Sequence, residues 1–390
     1  MKRGLRPRLR LERLSVLGLA LVVAAAALPA TAAGQTPISI SGQLDLMASE
    51  SDDLGVNTAF RGDSPFNPLR MRLFARKWVT DRIGVFSEFL YDSGSGLRVN
   101  GAYAVFNEIG GESWFNARFG LAPNPVGAFG LRSTYFNANP LVGVPLVWQY
   151  RTNLSGGGTS TIASLTGPTD PGPGLPILYD SCWNIQWEFL GEFGLFEYSF
   201  ALTPGSLSNP AKSQMVDGQS WMARLGATPT PGLRVGISAS QGPYLSAPEP
   251  DDLGNLPYTA ETRSLDQSLV GLDVEFLRGP FAVFAELHAT HWQTPLVQDE
   301  LEAVGGFIEV RYDVAPGWYA AGRIGSIDFG EVDTGSGVMA EWDQDVTRSE
   351  FAIGYRVSRE VLLKANWQRT TTGNSGFSQN LLSTQLTTVF

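Results

Sequence analysis

From residue 37 to the end, apolar and polar residues alternate with a period of two, in runs of about nine to eleven residues. The first run sets Ile38, Ile40, Leu44 and Leu46 on one face and Ser39, Ser41, Gln43 and Asp45 on the other. Its partner sets Leu69, Met71, Leu73 and Ala75 against Arg70, Arg72 and Arg76, and a tight turn at Thr80-Asp81 follows. A third strand carries Ile83, Val85, Phe89 and Tyr91 outward, a fourth lies near 99–108, and a fifth alternates Phe115, Ala117, Phe119 and Leu121 with Asn116 and Arg118. After a long insertion, Trp183, Ile185, Trp187 and Phe189 alternate with Asn184, Gln186 and Glu188, and Phe196, Tyr198, Phe200 and Leu202 with Glu197 and Ser199. Hairpins follow around 229–232, 278–280, 313–317 and 358–360, each turn carrying glycine, proline or short polar residues. A final strand faces Leu382, Thr384, Leu386, Thr388 and Phe390 one way and Ser383, Gln385 and Thr387 the other.

The total is about sixteen strands, an even number, with short and long connections alternating. The pattern predicts an all-β fold: a transmembrane antiparallel up-and-down β-barrel over 35–390. An open sheet of this size would curl or split, and closure removes its edges. Tyr91, Trp183, Trp221 and Trp367 fall near the outer strand ends and Tyr312, Trp318 and Phe390 near the inner ends, as interfacial girdles require. Two places fit poorly. Lys77 takes an outward parity with Trp78 inward, and the fourth strand lacks contrast between its faces, which a bulge or frayed boundary would explain.

The start of the chain differs in kind. Lys2, Arg3, Arg6, Arg8, Arg10 and Arg13 precede an apolar run from Leu14 to Leu28 and the small residues Ala30-Thr31-Ala32. This is the pattern of a secretory signal peptide over 1–34, and the run is too short to remain as a membrane helix. Its removal takes six basic residues and one acid, leaving 22 Lys+Arg against 37 Asp+Glu and a formal charge of −15. Such a balance excludes nucleic acid as a partner. Cys182 is the only cysteine, so no disulfide is expected.

Inward parity collects Arg70, Arg72, Arg76, Arg118, Arg224, Arg234, Arg311, Arg323, Arg356 and Lys364 with Asp45, Glu88, Glu108, Glu188, Glu197, Asp273, Glu275, Glu286, Glu309 and Glu350. A balanced, charged interior suits a hydrated passage with a transverse field, and equally suits ion pairs between neighbouring strands that steady the wall. The connection 122–180 holds only Arg132, Arg151, Asp170 and Asp180 as charges, a poor composition for a solvated outer loop. It is expected to fold inward as the third outer loop and narrow the pore, with Arg132 and Arg151 at the constriction; a cap over the mouth or an intersubunit latch is the alternative. The candidate pore set is therefore Arg70, Arg72, Arg76, Arg118, Arg132, Arg151, Glu88, Glu108, Glu188, Arg311, Arg323 and Arg356. Further acids sit in outer loops, among them Glu50, Asp52, Asp53 and Asp63, then Glu249, Asp251, Asp252 and Glu261, then Glu331, Asp333, Glu341, Asp343 and Asp345. They draw cations, or divalent ions bridging lipopolysaccharide, without calcium-loop spacing, and plain solvation is expected.

The leader, the hairpin LRMRLFARKWVTDRIGVFSEF at 69–89, the passage WFNARFGLAPNPVGAFGLRS at 114–133 and the terminal Phe390 together resemble Gram-negative outer-membrane porins, with a looser likeness to the phosphate-selective porins. The resemblance implies a sixteen-strand barrel, often trimeric, that passes small hydrophilic solutes, sits in the outer-membrane lipid, and is inserted by the barrel-assembly machinery through its C-terminal strand and Phe390. Anion-selective members use a basic ladder with lysine clusters, whereas this chain has few lysines and ten matched acids. The rival functions are a substrate-specific channel for a sugar or an anion, and a non-transporting adhesion barrel. Enzymatic chemistry is not expected: Gly62-Asp63-Ser64 only faintly resembles an esterase start, and His288 and His291 lack a partnering aspartate at the right spacing. No metal ligand cluster or cofactor motif is expected either.

Overall fold

Backbone groups in a hydrocarbon layer must be satisfied by the chain itself, and this chain does so by pairing every wall strand with two neighbours. The computed structural model describes residues 37–51, 66–94, 96–132, 138–156, 161–167, 174–179, 183–210, 218–245, 265–335, 337–373 and 378–390. The leader 1–34, Cys182, the Gly62-Asp63-Ser64 triplet and several of the acidic loop residues lie outside these.

The strands are β1 (Ser39–Ser51), β2 (Leu69–Trp78), β3 (Ile83–Asp92), β4 (Gly96–Phe106), β5 (Asn116–Pro123), β6 (Trp183–Phe193), β7 (Phe196–Thr203), β8 (Ser220–Thr230) and β9 (Leu233–Pro243). They continue as β10 (Asp266–Arg278), β11 (Phe281–Trp292), β12 (Leu301–Ala315), β13 (Trp318–Phe329), β14 (Glu331–Asp333), β15 (Met339–Glu341), β16 (Val346–Arg356), β17 (Val361–Thr372) and β18 (Ser378–Val389). Sixteen of them form one closed antiparallel barrel, each beside its predecessor, while β14 and β15 make a separate hairpin in the outer connection between β13 and β16. That hairpin sets Glu331, Asp333 and Glu341, plain loop acids by the sequence pattern, on paired strands. Among the described residues, the short α-helices α1 (Phe129–Arg132), α2 (Leu146–Gln149) and α3 (Ile162–Leu165) belong to the long connection after β5. No helix among the described residues is long and apolar enough to cross a membrane.

Closure comes from β1 pairing with β18 over Gln43↔Val389 to Ser51↔Leu381. The backbone of Phe390 exchanges hydrogen bonds with Gly42, at 2.8 and 3.0 Å. Its ring occupies the space a side chain at Gly42 would need, so the glycine makes room for the terminal aromatic. On the outer surface, residues such as Leu272, Ile308, Ile324 and Leu382 are more than half exposed, at 52, 55, 56 and 57%. A contiguous apolar exterior of this extent is explicable only by a non-aqueous surround.

The weak contrast of β4 has the expected cause. The register with β3 shifts between Glu88 and Phe89, leaving Asn100 as an extra residue that donates to Glu88 at 3.1 Å. Lys77 has a different explanation, because its ladder to Val85 is unbroken. Its outward position at the inner rim lets the long side chain reach the interface.

Candidate functional site

The interior is built from alternate residues of the wall, and its acids and bases meet as neighbours. Arg72 lies between Glu88 at 3.3 Å and Asp45 at 3.9 Å, and Asp45 also accepts from Thr387 at 2.7 Å across the closing seam. Arg70 faces Asp92 at 3.7 Å, and Arg118 faces Glu188 at 3.1 Å. Arg224 bridges Asp273, at 2.6 Å, and Glu197, which Arg234 also contacts. Arg323 sits between Glu350 at 2.6 Å and Glu309 at 2.9 Å. These charges are withdrawn from water: Glu88 is 0% and Arg323 3% exposed. At mid-height the pairing that steadies the wall therefore describes Arg70, Arg72, Glu88, Glu188 and Arg323 better than open display to a lumen does.

The connection after β5 supplies what covers them. Backbone N–H groups of Ala128 and Phe129, at the start of α1, both donate to Glu286 Oε1 at 2.6 Å, and Trp148 Nε1 donates to its Oε2 at 2.8 Å. A carboxylate at the free N–H groups of a helix start is a favourable arrangement. His288, fully buried, lies 3.1 Å from the same carboxylate. Gly127 N–H donates to Ser238, Arg323 donates to the carbonyl of Gly143 at 2.7 Å, and Lys364 Nζ donates to the carbonyls of Asn139 and Leu141 at 2.8 and 3.1 Å. Tyr319 donates to Pro140 O and Arg348 to Gln149 Oε1. The connection thus hydrogen-bonds to inward side chains of β9, β11, β13, β16 and β17. Its Phe129, Leu146, Val147 and Trp148 pack with Phe307 and Ile327 of the wall in one apolar cluster. Tyr150 OH and Asn153 N–H donate to Asp343, each at 2.8 Å.

Several expectations need correction. Glu108 is not in the wall: β4 ends at Phe106, and Glu108 sits in the inner turn with a left-handed backbone, φ 52°, exposed and paired with Arg82 at 3.4 Å. Arg151 donates to Gly174 O of its own connection at 3.4 Å, with its guanidinium 5.5 Å from the Tyr179 ring. The side chain of Arg132 lies outside the described residues. Trp183 is not an outer girdle residue: it is 2% exposed and its ring fills the place of a side chain at Gly101, beside Phe86 and Tyr103. Asp343 is not a solvated loop acid, being 3% exposed and engaged as above. Arg348 was missed, because the pattern began that strand at Phe351 and left its buried outer end unread.

Toward the inner mouth the charges regain water. Arg76 is exposed; Arg118, Arg234 and Arg311 keep 20, 35 and 24% of their side chains exposed; Arg356 is half-buried. Arg311 pairs with Asp313 at 2.8 Å and lies 4.5 Å from the Tyr319 ring. The interior thus has a waist of paired charges, covered by the connection along β9 to β17, above a wetter vestibule rich in arginine.

No protein-family model matches this chain, and no curated protein matches it in sequence. Its fold has solved counterparts. The anion-selective porin of Comamonas acidovorans aligns with a TM-score of 0.59 at 11% identity, over 91% of this chain and 99% of that one. The outer-membrane channel DcaP of Acinetobacter baumannii gives 0.55 at 13%, over 92 and 99%. The trimer form of OmpT, an outer-membrane protein of Vibrio cholerae, gives 0.52 at 10%, over 91 and 99%. Likeness at this identity is likeness of fold: the chain has the architecture of the outer-membrane porins.

Proposed function

We propose that this protein is an outer-membrane porin that lets small hydrophilic solutes and ions diffuse passively through its interior, with no catalytic step. The observation that carries the reading is the inversion of polarity across one closed wall: Ile308 and Leu382 bare to the outside, Arg323, Glu350 and Asp45 within. A barrel of this strand number is too wide for its wall side chains alone to fill and encloses an aqueous path. The described part of the connection after β5, hung from Glu286, Arg323 and Lys364, narrows that path. Residues 1–34 act as a cleaved export leader, the β18 strand with Phe390 as the signal read by the assembly machinery, and lipopolysaccharide as the outer-leaflet partner. A homotrimer is the proposed assembly, in keeping with the trimeric form of the Vibrio cholerae protein of like fold.

Refolded, leader-free protein added to a planar bilayer should give discrete, ohmic conductance steps. No steps in any salt, from protein shown to be folded, would refute the channel and favour the adhesion reading. Chemical cross-linking of the same preparation should trap a three-chain species.

A further inference from the structure

Below Arg72 and Glu88 the inward positions of β2, β3 and β4, Arg76 apart, turn aromatic or small. They read Phe74, Trp78, Phe86 and Tyr103, all half-buried, where a water-facing porin wall calls for hydrophilic residues. Phe86 lies 6.3 Å from Phe74 and 4.9 Å from Tyr103, ring centre to ring centre. Trp183 backs the pair, stacked on Phe86 at 6.4 Å and buried over Gly101. Phe86 and Tyr103 therefore stand in a packed cluster and keep part of their surface exposed.

Beside them is a cation with no counter-ion. Arg76 pairs in register with Ser39 on one side and Phe86 on the other, and its side chain is exposed. Its neighbours Arg70, Arg72 and Arg118 each face a carboxylate, but no ion pair involves Arg76 among the described residues. These groups line a cavity of about 810 Å³ with Ser39, Ser41 and Gln43 as its polar floor. The two acidic groups on its rim, Glu360 and the chain-terminal carboxylate of Phe390, do not pair with Arg76, and Glu360 is engaged by Ser358 at 2.9 Å.

We infer that this wall of the inner mouth is a binding site for small aromatic carboxylates, the guanidinium of Arg76 taking the carboxylate and Phe86 and Tyr103 taking the ring. A guanidinium fork matches a carboxylate in two parallel hydrogen bonds. The flat apolar body of the ligand removes the open ring faces from water, which stabilises the complex. A sugar leaves the charge of Arg76 unanswered, and inorganic phosphate leaves the aromatic faces wet. The site deepens the channel reading above by naming a solute class, and it rests on that reading only for its physiological sense.

The test is binding, separate from conductance. Refolded barrel in detergent is titrated with benzoate, acetate, benzyl alcohol and inorganic phosphate, following tryptophan fluorescence and heat. Benzoate should bind saturably and at least tenfold more tightly than each of the other three. Arg76→Gln, at an exposed and unpaired position, should weaken benzoate at least tenfold while leaving the weak response to benzyl alcohol unchanged; Phe86→Ser should weaken benzoate and leave acetate unchanged. Equal binding of benzoate and acetate, equal binding of benzoate and benzyl alcohol, or an Arg76→Gln protein that binds benzoate as before would each overturn the site. A barrel that binds benzoate but never conducts would retain the site and lose the channel.

Discussion

Glu286 ties the connection after β5 to the wall through a single carboxylate. It accepts from two backbone N–H groups, an indole and a histidine, all inside the barrel. Glu286→Ala leaves those donors buried without an acceptor, at about 1–3 kcal/mol each. The expected outcome is a barrel that still folds but whose connection after β5 is cut faster by added protease and whose bilayer steps are larger and noisier. Arg323→Ala is the harsher change, because it leaves Glu309 and Glu350 facing each other in a dry site. A loss of about 3–5 kcal/mol is expected in urea unfolding monitored by tryptophan fluorescence. The parity of both residues was legible from the alternation along β11 and β13. Their hold on the connection was not, since their partners there lie 138 to 180 residues away in sequence.

Among the elements, strands are more legible in the sequence than connections. A strand's two faces repeat every two residues, so Gln43, Asp45, Arg72 and Glu188 declared their side locally. The outer strand ends were underestimated, as at Val346–Arg356, because there the outward residues Thr347 and Ser349 are polar and the contrast fades. Trp183 departs from the pattern at the first residue of β6, where its ring lies over Gly101 and beside Phe86 instead of following the outward parity of Trp187. The outer connections carry their own packing. Tyr244, just beyond β9, is fully buried with its hydroxyl donating to Gln293 O at 2.8 Å, and burial pushes its phenol well above the ordinary range. Its folded pKa lies above its unfolded one, so its contribution is whole below the free-tyrosine pKa of about 10 and is lost as pH rises beyond it. Stability of the wild type should therefore fall more steeply in alkali than that of Tyr244→Phe, measured as urea midpoints at stepped pH.

For the whole molecule, the governing fact is that one wall separates two solvents. Ile308→Arg, in mid-strand on the bare outer face, should cost about 2–4 kcal/mol of folding stability in lipid vesicles. A polar change at Arg76, which faces the vestibule, should cost little by the same measurement. At the seam, Gly42→Val would drive the Phe390 ring from its seat, and insertion into vesicles should slow relative to wild type.

The sequence by itself determined the class of fold, the strand number and the side most wall residues take, because alternation is a local property that closure merely repeats around a circle. Tertiary structure alone decided which charges stay in water. Whether an inward arginine is clamped like Arg323 or left open like Arg76 depends on where a connection of some sixty residues comes to rest and which acids reach across from other strands, and those contacts are made by groups far apart along the chain.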